Sequence, residues 1–234
     1  MDLTAWNLPI SLLIAAIGYL LGNIQMALIV SRAAFRDDVR LYGSGNAGTT
    51  NMVRVYGKQY GMLTFLGDAG KALIAFLLGR WLGGALGLIA DDPSLGTQIG
   101  GCLAGMMAVV GHCYPAIYGF RGGKGAACSF ALIWCFCWQA AAMTTVAIVV
   151  IFIASKRVSL VSTLSAILFA VFSTVAYLLG WIPIYLLYFI YPIALLVLWR
   201  HRSNIKRLLH GQEAALDVNG KPLRSQEPKK QKGA

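Results

Sequence analysis

Long apolar stretches separated by short polar or glycine-rich segments make up most of the chain. Leu8 to Val30 is one, and Leu95 to Phe120 is another. Gly61 to Ala90 is a third, interrupted by Asp68, Lys71 and Arg80. Ala126 to Ala154 carries no charge. Val158 to Trp199 carries none over a length sufficient for two spans, with a Gly180-Trp181-Ile182-Pro183 break between them. About 20 helical residues cross the ~30 Å of hydrocarbon in a bilayer, so these blocks predict membrane-spanning helices. Nothing alternates with period two over about ten residues, which argues against a β-barrel. A buried helix of a soluble protein would account for one such block, not for all of them.

Composition agrees. Of 234 residues, 58% are hydrophobic and 12% charged, against about 45–50% and ~25% in soluble domains. The length fits one domain. The first seven residues hold Asp2 and no Lys or Arg. A cleaved leader is therefore not expected, and the first helix should remain as an anchor. The segment from Ala214 to Ala234 is polar, with Pro222, Pro228 and several lysines, and is expected to be a disordered cytoplasmic tail beyond a membrane domain of residues 1–213.

Charge sets the orientation. Arg32, Arg36, Arg40, Arg54 and Lys58 fall in the first loop, Arg121 and Lys124 in a second, Lys156 and Arg157 in a third, and nine more basic residues follow Trp199. The Asp91-Asp92-Pro93 segment and the Gly180 to Pro183 break have none. The positive-inside rule places the basic segments in the cytoplasm. Ala126 to Ala154 must then go out and return, turning near Trp138-Gln139. The expectation is an all-α polytopic membrane protein of about seven transmembrane helices, amino terminus outside and carboxyl terminus cytoplasmic. Reading that stretch as one long span gives about six. The net charge of +11 follows from this loop bias and suits anionic headgroups; no basic domain stands free of the membrane to bind nucleic acid. Gly18 and Gly22, Gly79 and Gly83, and Gly101 and Gly105 recur at the spacing that lets membrane helices approach closely. Packing within the chain is the preferred reading, a dimer seam the alternative.

The polar segments carry the candidate chemistry. The first contains Gly43-Ser44-Gly45-Asn46-Ala47-Gly48-Thr49-Thr50-Asn51 with Arg54 just beyond. Its glycine spacing matches a dinucleotide fingerprint, but that fingerprint requires a preceding strand and a βαβ unit. What remains is a loop whose backbone N–H groups, with Ser44, Asn46, Thr50 and Asn51, can face an anion. A flexible connector is the plainer reading. The second runs from Gly111 to Gly125 and ends Arg121-Gly122-Gly123-Lys124-Gly125. It suits a phosphate but is not a Walker A loop, because the spacing is one residue short and Gly125 replaces the magnesium-binding Ser or Thr. A structural turn with incidental charge is its plainer reading. In the third, Ser159 and Ser162 are three apart and share a helical face. In the fourth, His201 and Asn204 are likewise three apart, on one face of an emerging helix. A basic interfacial helix explains its Arg and Lys residues without them. Asp68 and Lys71 should pair with each other inside the bundle. The five cysteines show no zinc spacing with histidine.

In this order, the four segments resemble the bacterial acyl-phosphate-dependent glycerol-3-phosphate acyltransferases, the PlsY family. The matching motifs are Gly43 to Asn51 with Arg54, Gly111 to Gly125, Ser159 to Ser162, and His201 to Glu213. Departures are mild: Ala47 for proline, Thr49 for alanine, Tyr114 and Arg121 for Phe and Lys, and Ala72 for glycine. The resemblance implies seven helices with a cytoplasmic active site in the bacterial cytoplasmic membrane. It implies transfer of a fatty acyl group from acyl phosphate to the 1-hydroxyl of glycerol 3-phosphate, with no cofactor, no metal and no covalent enzyme intermediate. Carried over, Arg54, Lys124, Ser162, His201 and Asn204 hold glycerol 3-phosphate, with Ser159, Gly122, Gly123 and Glu213 among the binding residues. Ser44, Gly45, Asn46, Thr50 and Asn51, with Gly43, form the hole for the acyl phosphate head, which Lys124 also reaches. The proton of the attacking hydroxyl goes to a donor phosphate oxygen or to His201; His112 is structural. The implied partners are the two substrates, the bilayer and a soluble enzyme that makes acyl phosphate. A transporter of a phosphorylated solute is the main rival, but transporters place their sites near the midplane and often show internal repeats. A non-catalytic scaffold has no use for four polar motifs on one side, and a magnesium-dependent lipid phosphotransferase would need a carboxylate cluster.

Overall fold

The structure, a computed structural model, describes residues 7–213 and 215–216. The polar tail therefore lies almost wholly outside the described residues, as does Asp2. All the regular elements described are helical. Helix α1 (Leu8–Gly22) begins at Asn7, whose side chain accepts from the Ile10 N–H. After a break at Asn23–Gln25 it continues as α2 (Met26–Phe35). Gln25 fills the break by donating to the carbonyls of Gly22 and His112. A short α3 (Thr49–Tyr56) leads into α4 (Lys58–Ala85), and α5 (Pro93–Cys113) returns from a cap at Asp92. Then come α6 (Ala126–Phe136), α7 (Trp138–Ser155), α8 (Val158–Leu178), α9 (Leu187–Arg200) and α10 (Arg202–Leu209).

Among the described residues, five helical stretches are long and apolar enough to cross a membrane: 8–35, 58–85, 93–118, 138–155 and 158–178. The α9–α10 pair makes a sixth, bent by 58°. Helix α6 has only 11 residues, roughly 16 Å at 1.5 Å each, about half the hydrocarbon thickness.

Glycine decides how α1, α4 and α5 meet. A Cβ on Gly18 or Gly22 would sit 2.3 Å from the carbonyl oxygen of Ala104 or Ala108. Gly79 and Gly83 meet Gly100 and Gly96 just as closely. Gly105 receives the Leu132 side chain of α6, and Gly101 receives Arg80 and Phe76. All three sequence pairs are thus used inside the chain. Phe76, Leu132, Phe136, Phe169, Ile190 and Val197 join α4, α6, α8 and α9 in a second apolar core.

The start of α6 and the start of α8 lie at the same end of the bundle. Lys124 donates to Asn204, and Asn204 donates to Ser159. Residues 126–155 therefore leave that end and come back to it, and the chain breaks at Cys137, beside the turn read from the sequence. The Gly180 to Pro183 break is also present, with Gly180 in the left-handed region at φ 74°.

Candidate functional site

The first polar loop is shaped by Asn51. Buried in the opening turn of α3, its Oδ1 accepts from the Ser44 N–H at 2.8 Å, and its amide donates to the carbonyls of Val39 and Tyr42 at 3.1 and 3.2 Å. These bonds hold a turn in which Gly43 and Gly45 adopt φ of 54° and 72°. Asn51 thus spends its polar atoms on the loop. Ser44, Asn46, Thr50 and Arg54 border the cleft that the loop encloses.

The second loop is laid against the end of α5. The Gly123 N–H donates to the His112 carbonyl at 3.1 Å. A Cβ on Gly122 or Gly123 would meet His112 at 2.0 or 2.1 Å. Beneath it, Lys71 bonds Asp68 and His112 Nδ1, each at 2.9 Å, and donates to the Ile24 carbonyl. The predicted Asp68–Lys71 ion pair is present, and His112 packs at a helix end as expected. The loop presents Lys124 to the cleft, where its ammonium bonds Asn204 Oδ1. Burial, reinforced by the charges of Arg207, Arg54 and Arg200 and opposed by Glu213, pushes the Lys124 pKa down to about 8.

Ser159 and Ser162 stand in the first turns of α8 and both line the cleft. His201 Nδ1 bonds the Val197 carbonyl at 2.8 Å, so that nitrogen carries the proton, and Nε2 accepts from Ser162 Oγ at 3.0 Å. His201 and Asn204 do converge, though not along one continuous helix: the chain bends at His201, between α9 and α10. The bend turns Asn204 toward α8.

Glu213 follows α10 and folds back. Its carboxylate accepts from Ser159, from Asn204 at 3.4 Å and from Arg207 at 2.6 Å, with Arg54 3.9 Å away. Burial opposes its ionisation, but the Ser159 and Arg207 hydrogen bonds and the Arg207 and Arg54 charges prevail and hold the carboxyl below the usual range.

These groups surround a cleft of about 290 Å³. Ser44, Asn46, Thr50, Asn51, Arg54, Lys124, Ser159, Ser162, His201 and Asn204 all line it. Gly43, Gly123 and Glu213 stand behind its wall, supporting lining residues, and Gly45 and Gly122 face a second basin on the outer side. That basin carries Arg40, Arg121, Arg200, Arg202 and Arg207 and shares Ser44, Asn46 and Lys124 with the cleft. On its other side the cleft shares Ala126, Phe130 and Ser165 with an apolar groove between α6, α8 and α9.

Arg200 belongs to none of the four sequence motifs. Arg200, in the last turn of α9, donates to the carbonyls of Gly122 and Gly123 at 2.9–3.1 Å, its guanidinium 4.9 Å from the Tyr114 ring centre. In the sequence it is one of nine basic residues after Trp199, and its place beside His201 is the only signal.

Residues 12–211 match the family model described as glycerol-3-phosphate acyltransferase. A protein of that name from Neisseria meningitidis is 38% identical over 203 residues, 86% of this chain and 94% of the relative. Another, from Finegoldia magna, is 33% identical over 208 residues, covering 89% and 97%. The fold superposes on a crystal structure of PlsY (YgiH), an integral membrane glycerol 3-phosphate acyltransferase, in its glycerol 3-phosphate form, with a TM-score of 0.75, 31% identity, and 89% and 96% of the two chains covered. The lysophosphatidic acid form of the same enzyme gives a TM-score of 0.72 at 30% identity.

Proposed function

This chain belongs to the glycerol-3-phosphate acyltransferase family, and on that premise we propose that it makes lysophosphatidic acid from acyl phosphate and glycerol 3-phosphate. It is a multi-pass membrane acyltransferase. One observation carries the assignment of roles: a cleft with cationic and hydrogen-bonding side chains on its walls shares Ala126, Phe130 and Ser165 with an apolar groove among the helices. A polar acceptor and an acylated donor are thereby served at one place.

Arg54, Lys124, Ser162, His201 and Asn204 hold glycerol 3-phosphate. The first turn of α3, with the Ser44, Asn46 and Thr50 side chains on the cleft wall beside it, receives the phosphate of the donor, since helix N-termini present N–H groups to anions; the Ser44 and Gly45 N–H groups are used inside the loop, bonded to Asn51 and Tyr42. The acyl chain lies in the α6–α8–α9 groove. The 1-hydroxyl oxygen attacks the acyl carbon, a new ester C–O bond forms, and the bond from that carbon to the phosphate oxygen breaks. The departing phosphate takes the hydroxyl proton. The phosphate oxygen released in this step is itself a base, so the transfer needs no side-chain base. Positioning and fixed charge supply the acceleration, and the donor is already activated.

The same reading gives one membrane domain through Glu213, whose carboxylate holds Ser159 and Asn204 of the cleft wall from behind. It gives seven crossings, with the short α6 as the seventh, amino terminus outside and the site facing the cytoplasm. The shared end of α6 and α8 and the basic loops support that orientation, and with it the bacterial cytoplasmic membrane. A soluble enzyme producing acyl phosphate would be its supplier.

Purified protein given palmitoyl phosphate and glycerol 3-phosphate should release lysophosphatidic acid and inorganic phosphate in equal amounts, with palmitoyl thioester inert in parallel. Turnover of the thioester alone would overturn the donor; turnover of neither would overturn the reaction.

A further inference from the structure

The cationic residues around the cleft do different work, and Arg200 stands apart. It does not line the cleft but the outer basin, where its planar guanidinium is taken up by backbone. Nε donates to the Gly123 carbonyl at 3.1 Å, and one terminal nitrogen donates to Gly122 and Gly123 at 3.0 and 2.9 Å. The Tyr114 ring lies 4.9 Å from the guanidinium carbon, and the Tyr114 carbonyl is itself held by the hydroxyl of Tyr19 in α1 at 2.8 Å. The fork therefore rests on a platform anchored to a different helix.

The peptide plane gives this clamp a chemical consequence. In a trans peptide the C=O and the following N–H point in opposite directions. With the Gly122 carbonyl drawn toward Arg200, the Gly123 N–H turns away and finds the His112 carbonyl at 3.1 Å. With the Gly123 carbonyl drawn the same way, the Lys124 N–H points away from Arg200. A glycine loop left to itself offers carbonyls and N–H groups alike, and a carbonyl facing a phosphate repels it. The neighbouring glycines cannot accept a side chain without striking His112, so packing confines the loop while the guanidinium orients its dipoles.

We infer that Arg200 is a positioning residue for the acyl transfer, clamping the Gly122 and Gly123 carbonyls so that Lys124 and its backbone N–H face the substrate phosphate. This rests on the acyltransferase reading above and extends it to a residue that touches neither substrate. The positive charge of Arg200 also faces Lys124, together with Arg54 of α3, Arg207 of α10, His201 at the bend and Glu213 beyond α10. Fork geometry and charge thus act on the same lysine, and substitution separates them. Lysine keeps the charge but cannot make a planar two-acceptor fork.

The test compares wild type, Arg200→Lys and Arg200→Ala in detergent, with turnover and calorimetric binding of glycerol 3-phosphate measured across pH. Both variants should lose at least 10-fold in affinity for glycerol 3-phosphate. The alkaline limb of binding should move to higher pH in Arg200→Ala, where a cation beside Lys124 is gone, and stay in place in Arg200→Lys. A clamp that merely stabilised the fold would lower the melting temperature without moving that limb. If Arg200→Ala does not fold, Arg200→Lys decides alone: wild-type affinity in that variant overturns the inference, and a 10-fold loss upholds it. Wild-type affinity and an unmoved limb in Arg200→Ala also overturn it. A wild type that binds glycerol 3-phosphate without transferring acyl groups would count against the proposed reaction and leave the clamp to be judged by binding.

Discussion

Lys124 sits among Arg54, Arg200 and Arg207, with Asn204 as its hydrogen-bond acceptor. Its proton is held less tightly than that of an exposed lysine. A lysine with a lowered pKa is charged below that value and neutral above it, and a neutral amine no longer attracts phosphate. The kcat/KM for glycerol 3-phosphate in the free enzyme should therefore fall as pH rises through about 8. Lys124→Ala should raise KM at least 10-fold or abolish turnover, and unchanged kinetics would remove Lys124 from the site. Glu213 has the opposite sign. Its lowered pKa contributes stability at neutral pH that is lost as pH falls through and below its ordinary value of 4.5. Removing it strands Arg207 and Arg54. A fully buried pair broken this way costs roughly 3–5 kcal/mol. Because the Arg207 side chain stays 40% exposed, Glu213→Ala should cost about 2 kcal/mol, read as a lowered melting temperature whose acid dependence is flatter than that of wild type. Ser44, Lys124, His201 and Asn204 were legible in the sequence because polar groups between apolar blocks have few other uses. Arg200 and the placement of Glu213 were not, because their partners are backbone carbonyls and distant side chains that spacing does not show.

At the scale of elements, hydropathy located the long helices but not their ends. The Asn23–Gln25 break shows in the sequence only as two amide side chains inside the first apolar stretch, and the bend at His201 has no proline or glycine to announce it. The contact that fixes α4 against α5 was readable, since glycines four apart have one well-understood use. A Cβ on Gly79 would lie 2.3 Å from the Gly100 carbonyl. Backbone cannot yield as a flexible side chain can, so Gly79→Val should push the helices apart and destabilise the bundle by at least ~2 kcal/mol. Thermal unfolding in detergent checks this; a wild-type melting temperature would mean that α4 and α5 are not packed so tightly. Gly70, where an added Cβ would meet nothing within 4 Å, is the matched control, and Gly70→Ala should be tolerated.

Across the whole molecule, three spaces meet at the Ser44, Asn46 and Lys124 wall and the Ala126, Phe130 and Ser165 rim: a polar cleft, a cationic basin and an apolar groove. The sequence implied the first through its motifs and did not show the groove, whose lining is shared among three separate helices, α6, α8 and α9. Filling it tests its role. Ala194→Trp should raise KM for long-chain acyl phosphates at least 10-fold while sparing a short-chain donor, since Ala194 lines the groove but not the cleft. Equal losses with both donors would mean that the chain lies elsewhere.

The meeting of a groove among the helices with a basin at one end of the bundle has an effect on the membrane itself. On the reading proposed above, each turnover would release phosphate to the water on that side and leave the acylated glycerol phosphate in the adjoining monolayer. The opposite monolayer gains nothing. A bilayer growing by this reaction accumulates area on a single side, and its expansion without curling depends on a separate activity that carries lipid across.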